Sequence, residues 1–208
     1  MSMTAEQKAA WLAERCGKLT ASRMKDAMSF LKNGEPSKDR WRLLHELLAE
    51  RLTGFSVPHV VTDAMQWGLD HEDEAIDYFV ARYNRTPRLS RFYEHPALQN
   101  FGATPDRELD DGLLEVKCPT TTKFIEWTLV GVVPAEHKPQ MCAQLLCSNK
   151  TWCGFIAYDP RLKDENQRLF MRKYEPTQEE LSHVFGHASA FLDELDEMFD
   201  KFVSRKET

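Results

Sequence analysis

The chain has 208 residues, of which 42% are hydrophobic and 29% charged, a size and balance typical of one globular domain. Its formal net charge of −6 argues against a protein that coats nucleic acid with a broad basic surface, but not against an enzyme whose carboxylates hold metal ions. The five cysteines contain no Cys-x-x-Cys pair, so neither a zinc nor an iron–sulfur site is expected. No leader sequence and no apolar run of about 18 residues is found, so we expect a cytoplasmic protein without a membrane partner.

The N-terminal part, over about residues 1–85, is predicted to be helical. The pattern predicts a helix over residues 5–15, a second that begins at the hydroxyl residues 20–22, a third over residues 38–53 and a fourth over residues 63–83. Each helix is expected to bury an apolar stripe, which includes Leu31 in the second, Trp41 and Leu52 in the third, and Met65 and Leu69 in the fourth.

Residues 86–175 change to a sheet-forming pattern. Strands are predicted over residues 88–95, 99–104, 113–118, 151–158 and 168–174, with helices over 120–129 and 135–147. Asp110-Asp111-Gly112 predicts a turn between strands, and Thr177 with Glu180 predicts a capping box for a C-terminal helix over about residues 177–204. Helices around a central mixed sheet indicate an α/β fold, in a single domain over residues 1–208.

The strongest chemical signal is Thr104-Pro105-Asp106, followed by the segment Leu114–Pro119. Glu115 and Lys117 are two apart on a predicted strand, so their side chains point to the same face. The turn at residues 110–112 should fold the chain back and place Asp106 beside Glu115. Carboxylates are the ligands that Mg²⁺ prefers, and a lysine beside them can orient or deprotonate water or stabilise charge. The set therefore predicts hydrolysis of a phosphodiester.

Each of these residues also has a simpler interpretation. A bare Glu-x-Lys is usually a solvated cross-strand pair, although Pro-Asp at a hairpin's distance favours a nuclease. Glu72 falls on the apolar stripe of the fourth helix, where it is either a metal ligand or a boundary acid paired with an arginine. Ser22 at a helix N-terminus and Arg15 suit a phosphate, but they also fit an ordinary capped helix and a surface arginine.

In order along the chain, several blocks resemble the phage lambda exonuclease family, also called YqaJ-like viral recombinases, within the PD-(D/E)-x-K nuclease superfamily. The blocks are Trp11 with Arg15-x-Gly17-x-Leu19-Thr20-Ala21-Ser22, Trp67-Gly68 with Glu72, Thr104-Pro105-Asp106, Leu114-Glu115-Val116-Lys117-Cys118-Pro119, Gln140, and Tyr158-Asp159-Pro160. They cover roughly residues 10 to 160, and six ordered blocks are more specific than one motif. The resemblance implies a restriction-endonuclease-like core.

The resemblance also implies a 5′→3′ exonuclease on linear double-stranded DNA with two Mg²⁺ ions, for which Mn²⁺ could substitute. It places metal ligands at Glu72, Asp106, Glu115 and the backbone carbonyl of Val116, and it makes Gln140 the support of Lys117 and the attacking water. A 5′-phosphate pocket is implied at Arg15, Ser22, Thr104 and Lys123, where the family has arginine at the last position. Met65 is implied to wedge into the duplex end, with core packing as the alternative.

The family further implies a homotrimeric ring around DNA and a single-strand annealing protein as partner, in phage-type recombination within a bacterial host cell. Two alternatives remain open at this stage. One is another nuclease of the superfamily, such as an endonuclease or a single-strand exonuclease, and the other is a non-catalytic DNA-binding module.

Overall fold

A computed structural model describes residues 4–58 and 60–205, so the expected domain over residues 1–208 extends beyond the described residues. About half of this part is α-helical, and the bounds of the helices are α1 Ala5–Arg15, α2 Met24–Ala27, α3 Lys38–Thr53, α4 Asp63–Tyr83, α5 Thr121–Val130, α6 Lys138–Ser148 and α7 Gln178–Val203. None of the described helices is long and apolar enough to cross a membrane.

The strands form two sheets. Their bounds are β1 Leu19–Thr20, β2 Arg88–Leu89, β3 Tyr93–Glu94, β4 Phe101–Ala103, β5 Arg107–Glu108, β6 Leu113–Lys117, β7 Cys153–Tyr158 and β8 Leu169–Tyr174. The larger sheet has the order β2-β5-β6-β7-β8 and is mixed, since only β6 and β7 pair in parallel. The smaller sheet, of order β1-β4-β3, was not expected. The predicted α/β class with a central mixed sheet is confirmed.

Strand β6 separates two buried apolar layers. Leu113 belongs to the larger core, which includes side chains of α3, α6 and α7, whereas Leu114 and Val116 pack with Ile76 and Phe79 of α4. Alternate residues of a strand point to opposite faces, so Glu115 is directed toward the larger core and Val116 away from it, as the spacing predicts. Burying one large apolar side chain stabilises a fold by roughly 1.5–3 kcal/mol, and the two layers fix the register of β6.

The second predicted helix is much shorter than expected. A 3₁₀ turn over Ala21–Arg23 leads into α2, which ends at Ala27, and Leu31 is 54% exposed instead of buried. The chain reverses after α2, because the Leu31 amide donates to the Glu35 carbonyl at 2.7 Å and Gly34 takes a positive φ of 85°. A left-handed conformation suits glycine, so Gly34 permits the tight reversal that follows α2.

The apolar stripes of α3 and α4 are only partly buried. Trp41 and Leu52 are exposed on α3, and Met65 and Leu69 are exposed on α4, at 55% and 65%. The predicted bounds of both helices are confirmed. Helix α4 packs on the sheet through its second half, because its 21 residues make it about 30 Å long, which is longer than the strands beneath it.

The predicted strand over residues 88–95 is split between the two sheets. Its first residues form β2 of the larger sheet and its last ones form β3 of the smaller sheet. Periodicity alone cannot reveal such a division, because both halves show the same alternation.

Candidate active site

The β5–β6 hairpin brings the two central carboxylates together. Arg107 pairs with Leu114, so the residue before Arg107 lies opposite the residue after Leu114. Asp106 is held there by the backbone amide of Val116, which donates to its Oδ2 at 2.7 Å. Asp106 lies between β4 and β5 and directly precedes β5. The turn itself places Asp106 beside Glu115 as predicted.

Glu115 is fully buried and receives three side-chain hydrogen bonds. Gln140 Nε2 donates to its Oε1 at 2.6 Å, and Lys117 donates to the same oxygen. Gln144 Nε2 donates to Oε2 at 2.5 Å. A buried carboxylate without partners would be strongly destabilising, so these donors, two of them on one face of α6, explain how the acid is accommodated.

The charges of this cluster are closely coupled. Burial and the neighbouring carboxylate of Glu115 raise the pKa of Asp106 well above its usual range. Burial alone would lower the pKa of Lys117, but the carboxylates of Glu115 and Asp106 outweigh that effect and raise it. Oδ1 of Asp106 accepts no hydrogen bond within the described part of the chain. A buried carboxylate beside a half-buried one that keeps a free oxygen is a donor set that suits a hard divalent cation.

Glu72 is held differently from the expected metal ligand. Its carboxylate pairs with the buried guanidinium of Arg107, which also donates to Asp73 Oδ1 at 2.6 Å and to the backbone oxygen of Asp106 at 2.7 Å. The arginine-paired alternative is therefore what the structure shows. Among residues 4–58 and 60–205, no three His, Cys, Asp or Glu side chains converge to hold a metal. Glu72 is nonetheless near Asp106, because Nη1 of Arg107 donates both to Glu72 and to the backbone oxygen of Asp106.

The Val116 carbonyl is placed to contribute a further oxygen. In a strand the amide and the carbonyl of one residue point to the same side, and the amide of Val116 faces Asp106. Strand β5 begins only at Arg107, so the carbonyl points past the end of the β5–β6 pairing. Asp106, Glu115 and this carbonyl together offer oxygen ligands of the kind that Mg²⁺ takes.

The residues of the expected phosphate pocket come together only in part. Arg15 Nη1 donates to Thr104 Oγ1, and the hydroxyls of Thr20 and Ser22 are 3.3 Å apart. Ser22 lies in a short 3₁₀ turn without a side-chain cap, so the helix dipole expected at that position is weak. Lys123 interacts with Glu126 at 3.3 Å and contacts none of the other three.

A cavity of about 330 Å³ joins the catalytic cluster to Ser22; it is lined by Ser22, Lys25, Lys117, Glu136, His137 and Gln140. Burial lowers the pKa of His137 to about 3, so its ring is neutral. Lys25, His137 and Gln144 were not among the predicted site residues. The spacing of His137 and Gln144 from Gln140, three and four residues, could have indicated them. Nothing in the sequence singles out Lys25. Met65 is exposed near the start of α4 and is not a core residue.

Comparisons with known proteins agree with this geometry. Residues 10–151 match the model of the YqaJ-like viral recombinase domain, while no curated protein matches the chain significantly. The crystal structure of an alkaline exonuclease (LHK-Exo) from Laribacter hongkongensis is similar, with a TM-score of 0.84 and 32% identity over 93% of this chain and 95% of that one. That enzyme has also been solved in complex with dAMP. A phage-related exonuclease from Haemophilus somnus 129PT shares the fold, with a TM-score of 0.68 and 11% identity over 89% and 96% of the two chains.

Proposed function

This chain belongs to the YqaJ-like viral recombinase family, and from that premise we propose that it is a Mg²⁺-dependent exonuclease that degrades linear double-stranded DNA in the 5′→3′ direction. A nuclease role is supported by the similarity to an alkaline exonuclease over nearly the whole of both chains. The observation that carries the proposal is the convergence of Asp106, Glu115 and Lys117 at the open end of the β5–β6 pairing.

The metal would be held by oxygens of Asp106 and Glu115 and by the backbone carbonyl of Val116. Glu72 would join them if it left Arg107, and this set would supply oxygen ligands for the two Mg²⁺ ions that the family implies, for which Mn²⁺ could substitute. Bound Mg²⁺ lowers the pKa of a coordinated water and neutralises charge on the phosphate. The fit rests on the free Oδ1 of Asp106 and on the mutual repulsion of the neighbouring carboxylates of Asp106 and Glu115.

Lys117 and Gln140 act on the water and on the scissile phosphate. Both side chains bond to Oε1 of Glu115 and both line the cavity, so their remaining donors face the reacting groups. The Lys117 ammonium stabilises negative charge that develops on the phosphate. Gln140 fixes the rotamer of Glu115, and a fixed geometry is itself a large part of the rate enhancement in hydrolases.

End recognition gives the direction of degradation. Arg15, with Thr104 and Ser22, is proposed to hold the terminal 5′-phosphate, and Lys123 would add charge after it leaves Glu126. Exposed Met65 is proposed to contact the terminal base pairs. When the terminal 5′-phosphate is held beside Asp106, Glu115 and Lys117, the phosphodiester bond next to the 5′ end lies at Lys117. Cleavage then proceeds from the 5′ end, which is 5′→3′ exonuclease activity.

The biological role follows from the family. We propose that the chain acts in phage-type recombination in the cytoplasm of a bacterial host, where it exposes a single strand for an annealing protein. A homotrimeric ring around the duplex is part of the same proposal.

The proposal is tested with linear duplex labelled at one or the other end and with closed circular duplex, in Mg²⁺ and in EDTA. We expect nucleotides to be released from linear duplex alone, with the 5′ label first, and no release in EDTA. Cleavage of the circle would identify an endonuclease, and first release of the 3′ label would contradict the proposed direction.

The role of Lys117 is tested by Lys117→Ala. Loss of the only lysine that contacts Glu115 in the described residues should reduce kcat by about 10²–10³-fold, as removal of one charge-stabilising donor does. Lys173→Ala is the matched control, because Lys173 lies on β8, pairs with Glu175 and does not line the cavity. Near-normal cleavage by Lys117→Ala would remove this lysine from the mechanism.

A further inference from the structure

Arg15 is a half-buried arginine without a carboxylate partner. In the described part of the chain it makes one hydrogen bond, to Thr104, and no ion pair. Burial lowers its pKa to about 10, so the guanidinium is still charged at neutral pH. Its other N–H groups have no protein acceptor, and a partly desolvated cation in this state indicates a site for an anion.

Two aromatic rings from different elements contact this guanidinium. Trp11 lies one turn earlier on α1, with its ring centroid 4.1 Å from Cζ of Arg15. Phe92 lies between β2 and β3, with its centroid at 5.3 Å. Cation–π contacts of this length contribute about 0.5–2 kcal/mol, depending on how well water is excluded. Neither ring can accept an N–H in the guanidinium plane as a carboxylate would, so the planar donors stay available.

The position of Phe92 is fixed by the smaller sheet. Its ring lies directly on Gly102 of β4, where an added Cβ would be 2.3 Å from Cζ of Phe92. Any other residue at position 102 would push the ring away. Thr104 directly follows the same strand and accepts a hydrogen bond from Arg15. The segment from Gly102 to Thr104 therefore packs against the ring of Phe92 and also supplies the hydrogen-bond acceptor for the guanidinium.

Arg40 shows what a structural arginine with two ring contacts looks like in the same molecule. It lies over Phe30 and Phe191, at 5.0 and 4.9 Å. Unlike Arg15 it is bonded to a carboxylate, Glu194, and to the carbonyl of Ala27. The rings are common to both arginines, and the missing acidic partner distinguishes Arg15.

We propose that Trp11 and Phe92 are positioning residues that hold the free N–H edge of Arg15 toward the 5′-phosphate, so that they determine the preference for 5′-phosphorylated ends. This inference rests on the proposed function, because it assigns a specificity to the same site. The rings orient the guanidinium and do not touch the substrate.

The test compares kcat/KM on linear duplex with a 5′-phosphate and on the same duplex with a 5′-hydroxyl. Phe92→Leu and Trp11→Leu are each expected to reduce the phosphate-to-hydroxyl ratio about tenfold, which corresponds to about 1.4 kcal/mol. Trp11→Phe should restore part of the ratio, because it returns a ring to the contact. Phe30→Leu is the matched control: it removes one ring from Arg40 and should keep the wild-type ratio.

Because the readout is a ratio, a general loss of stability lowers both rates and leaves it unchanged. A second variant guards against misfolding of Phe92→Leu, since Trp11 is 37% exposed and can be replaced without opening the core. If wild-type enzyme prefers phosphorylated ends and both ring variants keep that preference, the positioning role is wrong while the proposed function stands. If the wild-type enzyme shows no preference, the end-recognition part of the proposed function fails as well.

Discussion

At the level of single residues, the site depends on how the carboxylate of Glu115 is accommodated inside the core. The carboxylate is fully buried, and its two oxygens are shared among Lys117 and two glutamines of α6. Gln144 also accepts a bond from the Cys153 thiol at 3.7 Å, which fixes the orientation of its amide. These donors hold the side chain of Glu115 in one rotamer even without a bound ligand.

Gln144→Met tests this support. The substitution conserves volume but leaves Oε2 of Glu115 without a donor in the core, so the free energy of unfolding should fall by about 1–3 kcal/mol, as measured by urea denaturation. Gln66→Met is the control, because Gln66 donates to Asp70 at 2.7 Å on an exposed helix face and should change stability by less than about 0.5 kcal/mol. Equal effects of the two substitutions would show that Glu115 does not need Gln144.

At the level of elements, the β5–β6 hairpin determines the distance between the two central carboxylates. The Leu109 amide donates to the Gly112 carbonyl at 2.8 Å, and this turn sets the register in which Asp106 lies opposite Glu115. Gly112 is packed against the buried ring of Trp152, so that an added Cβ would be 2.2 Å from Cε2. The hairpin therefore depends on the absence of a side chain at this position.

Gly112→Ala should destabilise the protein by about 1–3 kcal/mol through overpacking and should reduce kcat, because the turn shifts Asp106. The same substitution at Gly186 is the control. Gly186 is exposed in α7 and an added Cβ would meet no atom within 4 Å, so Gly186→Ala should stabilise by about 0.5–1 kcal/mol. Thermal unfolding with a cleavage assay measures both changes, and opposite signs are expected. A Gly112→Ala protein of wild-type stability would contradict the packing argument.

The elements also show how far the sequence could predict the structure. Helix α4 has the predicted bounds, because Thr62 caps its start and Asn84 takes the left-handed conformation at its end, and both are local signals. The predicted burial of Met65 and Leu69 was wrong, because burial depends on where the sheet ends and not only on the helical period. The division of residues 88–95 between two sheets depends on long-range pairing in the same way.

The candidate site shows the same difference between local features, which the sequence predicts, and long-range contacts, which it does not. The proximity of Asp106 to Glu115 and the shared face of Lys117 follow from a turn and a two-residue spacing. An arginine partner for Glu72 was one of the two predicted alternatives, but its identity as Arg107 could not be predicted, because the two residues are 35 positions apart and Arg107 carries no distinctive pattern. Lys25 of α2 lines the cavity through a long-range contact that no local pattern of the sequence indicates.

At the level of the whole molecule, the exposed apolar side chains bear on assembly. Two groups of them lie on the surface of the described residues, one around the start of α4 and one at the end of α5: Phe55, Val60, Val61, Met65 and Leu69, then Ile125, Leu129, Val130 and Val132. Exposed apolar side chains that are grouped along the chain can mark a contact surface, which is compatible with the proposed ring.

We therefore expect light scattering to give a mass about three times the 24.1 kDa of one chain, unchanged over a tenfold range of concentration. Leu129→Lys and Val60→Lys, tested separately, should lower that mass if the corresponding group lies in an interface. Lys8→Ala changes an exposed polar residue of α1 and is the control. A mass of one chain at every concentration would contradict the ring.

Because the net charge is −6, attraction between the protein and DNA phosphates must come from a few local cations. This leads to a prediction for the salt dependence of DNA binding. The cations at the proposed site are Arg15, Lys25, Lys117 and Lys123, and binding that neutralises about four phosphates should give a slope of log K against log salt of roughly −3 to −4.

Lys25→Ala should make that slope smaller by about 1 and weaken binding uniformly across sequences. Anisotropy of a labelled 5′-phosphorylated duplex in EDTA measures both, with Lys201→Ala on α7 as the control. A much steeper slope would mean that basic residues outside the cavity dominate, and a slope unchanged by Lys25→Ala would mean that the cavity does not bind the DNA backbone through this lysine.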